Sequence, residues 1–324
     1  MRAAVAVSQN PEDPLSGLRL KDMPEPEPPA GWTTVSVKAS SLNMHDVWTL
    51  RGVGHRPENI PMILGCDVAG VTEEGREVIV HPVIADPDGG QGDETLDPGR
   101  SLLSEKHHGG FAERIAVPRR CVVDKPAHLS FEEAACLPVA WGTAYRMLFT
   151  QARLRPGDSV LVQGAGGGVT SAAITMARAA GVTVYATSRT AEKQELARRL
   201  GAHEAFPAGS RLPHRVDAVI ETVGEATWSH SLRCLRPGGC IVVAGATTGT
   251  EPDAELGRIF FQQLRILGST GSTRAETEAM SRLVQAQQLR PRIDRVIALE
   301  DIHEGFASMI DGTVSGKIVV QVAS

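Results

Sequence analysis

Apolar and polar positions alternate from Thr33 to Ala39, with Val35, Val37 and Ala39 on one face, the period of a half-buried strand. Glu77 to Val83 is a second apolar run, and Phe111 to Val117 and Val122-Val123 continue the series. Pro and Gly punctuate this whole third of the chain, so it predicts a β-rich domain. No strong amphipathic helix is predicted before Ser130. There Ser130-Phe-Glu-Glu133 has the form of a capping box and predicts a helix through Ala135. Between Asp86 and His108 the chain is rich in Gly, Asp and Pro and has little periodicity. That predicts a long surface excursion, of the kind that is either functional or mobile.

After residue 155 the pattern changes. Strands at 159–163, 182–187, 217–221, 240–244 and 265–268 alternate with helices at 169–180, 191–200, 227–235, 253–262 and 276–288. Parallel strands need crossover helices, so this order predicts an α/β fold with a doubly wound parallel sheet. The last stretch, 292–322, ends in an apolar strand at 317–322 and is expected to return to the first domain. There are no internal repeats.

Gly164-Ala-Gly166-Gly167-Gly168-Val-Thr170 lies between the first strand and the first helix of that alternating region. Glycines there let the backbone approach a pyrophosphate, whose charge meets the amides of the helix N-terminus. Val169 belongs to the same turn, and Thr170 stands where a third glycine is expected. The ribose-reading position falls at the end of the second strand, at Thr187-Ser188-Arg189, with Lys193 one turn on. No acidic residue is present to accept from a 2′-hydroxyl. A small residue followed by Arg and Lys suits a 2′-phosphate instead, so NADPH is the expected cofactor.

Composition narrows the function classes. At about 150 residues per domain, 324 residues predict two domains. Lys and Arg number 33 against 38 Asp and Glu, a net charge of −5, which offers no basic field for a nucleic-acid partner. Aromatics are only 4 %, too few for stacking platforms on single strands. No uncharged apolar run nears the roughly 18 residues of a membrane span. The N-terminal run Met-Arg-Ala-Ala-Val-Ala-Val is too short for a signal-peptide core and predicts a first strand. The five cysteines contain no C-x-x-C, so a reduced cytoplasmic protein acting on a small molecule is expected.

The chain resembles the medium-chain dehydrogenase/reductase superfamily, most closely its zinc-free, quinone-oxidoreductase-like branch, over essentially its full length. The resemblance is carried by Ser40-Ser-Leu-Asn-Met-His-Asp46, Ile63-Leu-Gly-Cys-Asp-Val-Ala-Gly70, Gly109-Gly-Phe-Ala-Glu113, Glu132-Glu-Ala-Ala135, Thr143-Ala144, the glycine loop and Gly316-Lys-Ile-Val319. It implies a GroES-like catalytic domain from residues 1–127 and 291–324, a Rossmann domain at 128–290, and an active site in the cleft. The positions matching zinc ligands in the alcohol-dehydrogenase branch are Asn43, Cys66 and Val139, and the stretch 87–108 has no cysteines for a structural zinc, so no metal is expected. His107 and His108 are read as members of a solvated loop.

Without a metal, a carbonyl must be polarised by hydrogen bonds and dipoles. Asn43 is the candidate for holding the nicotinamide ribose or substrate oxygen, and His45 or Asp46 for relaying a proton. Trp48 stands where several relatives carry a tyrosine, has no comparable proton, and is expected to wall the pocket. Water is an alternative donor. The same resemblance assigns Thr143, Val223, Gly245, Ala246, Thr247, Ser269, Thr270 and Lys317 to the cofactor, beside Gly164, Gly166, Gly167, Gly168, Val169, Ser188, Arg189 and Lys193. The implied activity is NADPH-dependent, zinc-independent hydride transfer to a quinone or α,β-unsaturated carbonyl. The alternatives are an enoyl-thioester reductase, which needs a basic surface for its carrier's phosphates, and a non-catalytic NADPH-binding protein. The strand at 265–268, near the end of the strand order, predicts a homodimer.

Overall fold

A computed structural model describes residues 1–322. The chain divides into two compact units, Met1–Gly142 with Ser272 onward, and Thr143–Gly271. The division falls inside the expected 128–290 span. The helix Arg274–Ala286 belongs to the first unit, where Ser281 Oγ donates to Asp124 O at 3.2 Å and Thr277 meets His81 at 2.9 Å.

In the first unit the long strand Trp32–Ser41 is the centre. It pairs antiparallel with Asp67–Thr72, with Arg114–Pro118, and with the C-terminal strand Lys317–Gln321. The last strand thus returns to the first domain, and Ile293–Ala298 pairs parallel beside it. The apolar run after Glu77 splits into Glu77–Val80 and Val83–Ile84. Pro82 has no N–H to give a ladder, and the preceding His81 amide bonds Cys121 O instead. The strand expected from Phe111 begins only at Arg114; Phe111 and Ala112 precede it, fully buried, and Phe111 meets Phe306 edge-on at 6.2 Å.

The stretch 86–108 is tied down at several points. Glu94 is 4 % exposed and bonds the Arg120 guanidinium and the Arg274 amide. Burial alone would raise its pKa, but the His81 ring, the Arg274 amide and Arg120 more than offset this and hold the carboxyl at about 2. Asp97 accepts from the amides of Asp86 and Gly99 at 2.9 and 2.8 Å.

Two helices of this unit escape the apolar pattern, Met44–Arg51 and Ile302–Ile310. Met44–Arg51 buries Asp46 and Thr49 alongside Val47 and Leu50, so its polar and apolar residues do not segregate. Its termini are marked chemically. Asp46 reaches back to the Asn43 amide at 2.9 Å, and Gly52 closes the helix at φ +76°.

The second unit is a six-stranded parallel sheet. Its spatial order is Glu204–Pro207, Thr183–Ser188, Ser159–Val162, Val216–Glu221, Leu235–Val243 and Arg265–Gly268. Val160, Leu161, Val162, Val184, Val219 and Ile241 are buried among the covering helices. Glu204–Pro207 was not expected, because its Glu-Ala-Phe-Pro sequence carries no strand periodicity. Helices Gly168–Ala179, Ala191–Arg199, Glu225–Cys234 and Leu256–Phe261 make four of the crossovers. The fifth, residues 208–215, has no helix. No helix among the described residues is long and apolar enough to cross a membrane. All five cysteines are buried and unpaired.

Candidate active site

In the second unit the expected nucleotide residues gather at the carboxyl edge of the sheet, where open parallel sheets hold their ligands. Gly164 and Gly166 adopt φ +71° and +125°, the left-handed region that only glycine enters cheaply. A Cβ on Gly164 would stand 2.6 Å from Val223 Cγ2, and one on Gly166 2.9 Å from Lys193 Cδ. The loop is therefore a backbone surface with Val223 and the Lys193 stem packed against it. The Thr170 hydroxyl accepts from the Gly167 amide at 3.1 Å, which fixes the entry to helix Gly168–Ala179. The first-turn amides of that helix have no intrahelical acceptors and face the position a pyrophosphate needs.

Ser188 ends its strand 5 % exposed, its carbonyl taken by Ala208 N at 3.1 Å and Gln194 Nε2 at 3.2 Å. Arg189 is exposed, and Thr190 caps the next helix by accepting from Lys193 N at 3.3 Å. Gly245, Ala246 and Thr247 follow the strand Leu235–Val243, with Thr247 N on Thr222 O at 3.4 Å. Ser269 donates its amide to Val243 O at 2.9 Å, while its buried Oγ has no partner. Thr270 is exposed beside it, and Thr143 is buried. An orphaned hydroxyl and a glycine cradle at this edge fit a dinucleotide.

Beneath the loop lies a buried network that the sequence reading did not single out. Glu221 accepts from the amides of Val223 and Gly224 at 2.8 and 3.1 Å and from the Ser231 hydroxyl at 2.6 Å. Gln163 donates to Ser231 Oγ at 2.9 Å and meets His230 Nδ1 at 2.8 Å. Four donors, counting Thr227 Oγ1 at 2.9 Å, satisfy a carboxylate that has no cation beside it.

In the first unit the motif 40–46 and the motif 63–70 meet. Asp67, fully buried, accepts from Ser41 Oγ at 2.6 Å, Asn43 Nδ2 at 2.8 Å, Val139 N at 2.8 Å and Lys317 Nζ at 3.0 Å. Lys317 also donates to Asn43 Oδ1 at 2.6 Å and Leu42 O at 2.7 Å. All three ammonium protons of Lys317, a residue expected at the cofactor, are thus committed within this unit, one of them to Asn43. Asp46 accepts from the Asn43 and Gly65 amides at 2.9 and 3.0 Å. Burial raises its pKa, and the side chain braces the helix start against the segment carrying Cys66.

His45 lies beside this brace and is partly exposed. Its Nε2 meets Glu105 Oε1 at 3.0 Å, and its Nδ1 faces Cys66 Sγ at 3.6 Å. Burial opposes charging the ring, but the Glu105 hydrogen bond and the charges of Asp46 and Glu105 prevail and raise its pKa. Glu105 is fixed in turn by Leu102 N at 2.8 Å and Ser101 Oγ at 3.3 Å. It comes from the aperiodic stretch 86–108, 60 residues away in the chain, and no motif pointed to it. Trp48 is half-buried under the Arg51 guanidinium, 5.5 Å from its ring centroid. His107 stacks against Trp32 at 5.0 Å, and His108 Nδ1 accepts from the Ile63 amide at 3.2 Å.

A zinc ion requires three or four Cys, His or carboxylate ligands in tetrahedral array. At the three matching positions, Val139 packs its side chain on the cluster around Val68 and Val78, and the Asn43 amide is fully hydrogen-bonded. Those residues do not fit the ion. His45, Asp46 and Cys66 bring one ligand atom each within 4.8 Å of one another. Both Asp46 oxygens are already taken by backbone amides, and burial and the neighbouring carboxylates push the Cys66 thiol well above its ordinary range. The trio serves as a hydrogen-bonded brace.

The Lys317–Asp67 pair yields a quantitative expectation. Lys317→Met should destabilise the protein by about 3–5 kcal/mol, since it strands a buried carboxylate. Adding Asp67→Asn should recover a large part of that loss. Urea unfolding of the wild type, both single variants and the double variant measures the coupling, and additive losses would show that the pair is not coupled.

The family model described as "Alcohol dehydrogenase GroES-like domain" matches residues 29–127, and the one described as "Zinc-binding dehydrogenase" matches 168–286. An acryloyl-coenzyme A reductase of Sulfurisphaera tokodaii is 30% identical, over 95% of this chain and 97% of its own length. The quinone oxidoreductase of Homo sapiens is 29% identical, over 94% and 93%. The crystal structure of an NAD-dependent alcohol dehydrogenase superposes with a TM-score of 0.92 at 33% identity, covering 100% of both chains. With both domain types, end-to-end relatives and a parallel sheet carrying a glycine cradle, the chain belongs to the medium-chain dehydrogenase/reductase superfamily of oxidoreductases.

Proposed function

We propose that this protein is an NADPH-dependent reductase of activated acceptors, quinones or α,β-unsaturated carbonyls, working without zinc. The observation that carries the reading is the His45–Glu105 dyad: a partly exposed imidazole hydrogen-bonded to a carboxylate at 3.0 Å, which with the nearby charges raises its pKa against the effect of burial, in a unit whose zinc-ligand positions are Asn43 and Val139. An unactivated ketone gains most from a Lewis acid, whereas a conjugated acceptor needs chiefly a proton for the charge that builds on oxygen or carbon.

When bound, the dinucleotide supplies a hydride from its nicotinamide ring. The helix amides after Gly167 hold the pyrophosphate, and Arg189 and Lys193 hold the 2′-phosphate. Glu105 anchors His45 through Nε2. The partly exposed imidazolium is the proton donor in this reading, with its Nδ1 beside the weakly accepting Cys66 sulfur. Asp67 and Lys317 hold Asn43, and through it the start of helix Met44–Arg51, in one position. An enoyl thioester is the second reading, favoured by the acryloyl-coenzyme A reductase relative. Oxidation of NADPH followed with quinones, enones and enoyl thioesters, on enzyme treated with chelator, tests the proposal. Turnover lost with the chelator and restored by zinc would overturn the metal-free reading.

The dyad sets a pH dependence. His45 acts while protonated, so kcat should be flat at low pH and fall as pH rises through the raised imidazole pKa. Glu105→Gln removes the group that raises it, so the fall should begin at lower pH. His45→Gln should lower kcat by about 10²–10⁴ and abolish the break. An unchanged profile in Glu105→Gln would mean that His45 is not the acid.

Cofactor choice is sharper still, because the solved neighbour is described as NAD-dependent while residues 188–193 here carry Ser, Arg and Lys. One charge-assisted hydrogen bond is worth roughly 1.5–3 kcal/mol, so Arg189→Ala should raise the KM for NADPH about ten- to a hundredfold and leave that for NADH nearly unchanged. Ser188→Asp should reverse the preference by repulsion. Equal effects on both cofactors would remove the basis for NADPH.

The protein acts as a homodimer in this reading. Arg265–Gly268 is the free edge of its sheet, and beside it Phe260, Phe261 and Ile266 are 63%, 77% and 44% exposed. Sedimentation should show a dimer at micromolar concentration, and Phe261→Asp should convert it to monomer. A wild-type monomer would refute this.

A further inference from the structure

The crossover between Glu204–Pro207 and Val216–Glu221 leaves a concavity on one face of the second unit's sheet, because residues 208–215 form no helix there. The cavity is about 470 Å³, within the size range of small-molecule sites, and is lined by Arg211, Arg215, Arg233 and Arg258 together with His214 and His230. Four arginines thus line one cavity in a chain whose net charge is −5.

Their charge is only partly opposed, by Glu255, which lies near Arg258 and Arg233. Arg258 pairs with Glu255 at 2.9 Å, Arg215 reaches only the neutral Gln262 at 3.3 Å, and Arg233 bonds the Ser229 hydroxyl. Among the described residues, no ion pair joins Arg211 or Arg215 to a carboxylate, and Arg233 shares Glu255 with Arg258. Clustered like charges repel, and the repulsion is relieved by an anion among them. The framework beneath is rigid. Leu212 is packed into the core with Leu235 and Leu264, and His230 Nε2 bonds Ser210 O at 2.7 Å while its Nδ1 meets Gln163. The loop is thereby pinned, and its arginines are presented from a fixed backbone.

We infer that this pocket is a second anion site, specific for a phosphate ester and separate from the dinucleotide site. Guanidinium forks match phosphate oxygens bidentately, and the apolar flank of Leu212 and Pro213 gives an organic part of the ligand a surface. The site does not depend on the reductase reading, since it is defined by binding alone. Its ligand is either the phosphorylated end of a carrier-linked substrate or a free phosphorylated metabolite.

Calorimetric titration of the full chain with pyrophosphate and with adenosine 3′,5′-bisphosphate, each with and without saturating NADPH, tests it. The expected result is one saturable site per chain that persists with NADPH bound. Arg215→Ala/Arg233→Ala, at two exposed positions, should weaken Kd at least tenfold while KM for NADPH stays within about twofold. Tighter binding of the bisphosphate than of pyrophosphate would identify the carrier-type ligand, and equal binding the free metabolite. No saturable heat, heat abolished by NADPH, or an unaltered Kd in the double variant would each overturn the inference.

Discussion

One buried ion pair organises the first unit. Asp67 and Lys317 are 250 residues apart in sequence and 3.0 Å apart in space. Two buried charges are expensive unless every lone pair and proton is used, and here they are: Asp67 has four donors and Lys317 three acceptors. The pair can form only after Lys317–Gln321 has docked against Trp32–Ser41, so the first unit is completed by the last strand of the chain. Asn43 then has no freedom left: its amide bridges both charges, and the helix that follows starts from a fixed residue. The positions of His45 and Trp48 follow from that.

The same constraint explains how this site departs from a metal centre. A zinc ion would supply a concentrated positive charge and a set of directional bonds. Here the ammonium of Lys317 supplies the charge, and the carboxylates of Asp46 and Asp67 supply the directions through backbone amides. Such an arrangement holds its shape without a ligand. In the metal-free reading proposed above, it would stabilise developing negative charge less strongly than a Lewis acid does, and an acceptor that is already electron-poor would suit it.

How far this was legible in the sequence depends on how local the signal is. Five of the six strands of the parallel sheet were readable because they are short apolar runs set among helical periods and turn residues, and the glycine loop because positive φ demands glycine. The helix Met44–Arg51 was not, since burying Asp46 and Thr49 erases the apolar stripe; only Asn43, Asp46 and Gly52, as cap residues, marked it. Glu105 was invisible for another reason: it sits in an aperiodic stretch, and its value lies in a partner 60 residues away. Glu221 and Gln163 each look like ordinary strand-end residues, and only the fold shows that they form one network. Lys317 stood in a motif that marked it as important, but its role as a positioning residue needed the three acceptors to be seen together.

If the two proposed phosphate sites of the second unit hold, they work in physically different ways. At the glycine loop the charge is met by peptide dipoles, which require no side chain and leave selectivity to Ser188, Arg189 and Lys193 at the next strand end. At residues 211–233 it is full guanidinium charge on a pinned loop, with little dipole to help. Peptide dipoles act within the first helical turn, so a loop-bound pyrophosphate must be gripped at close range and in one orientation. Guanidinium charge acts over about a Debye length and tolerates varied geometry. A tightly oriented group that must present a reacting carbon belongs at the first kind of site, and an anchoring group remote from the chemistry belongs at the second.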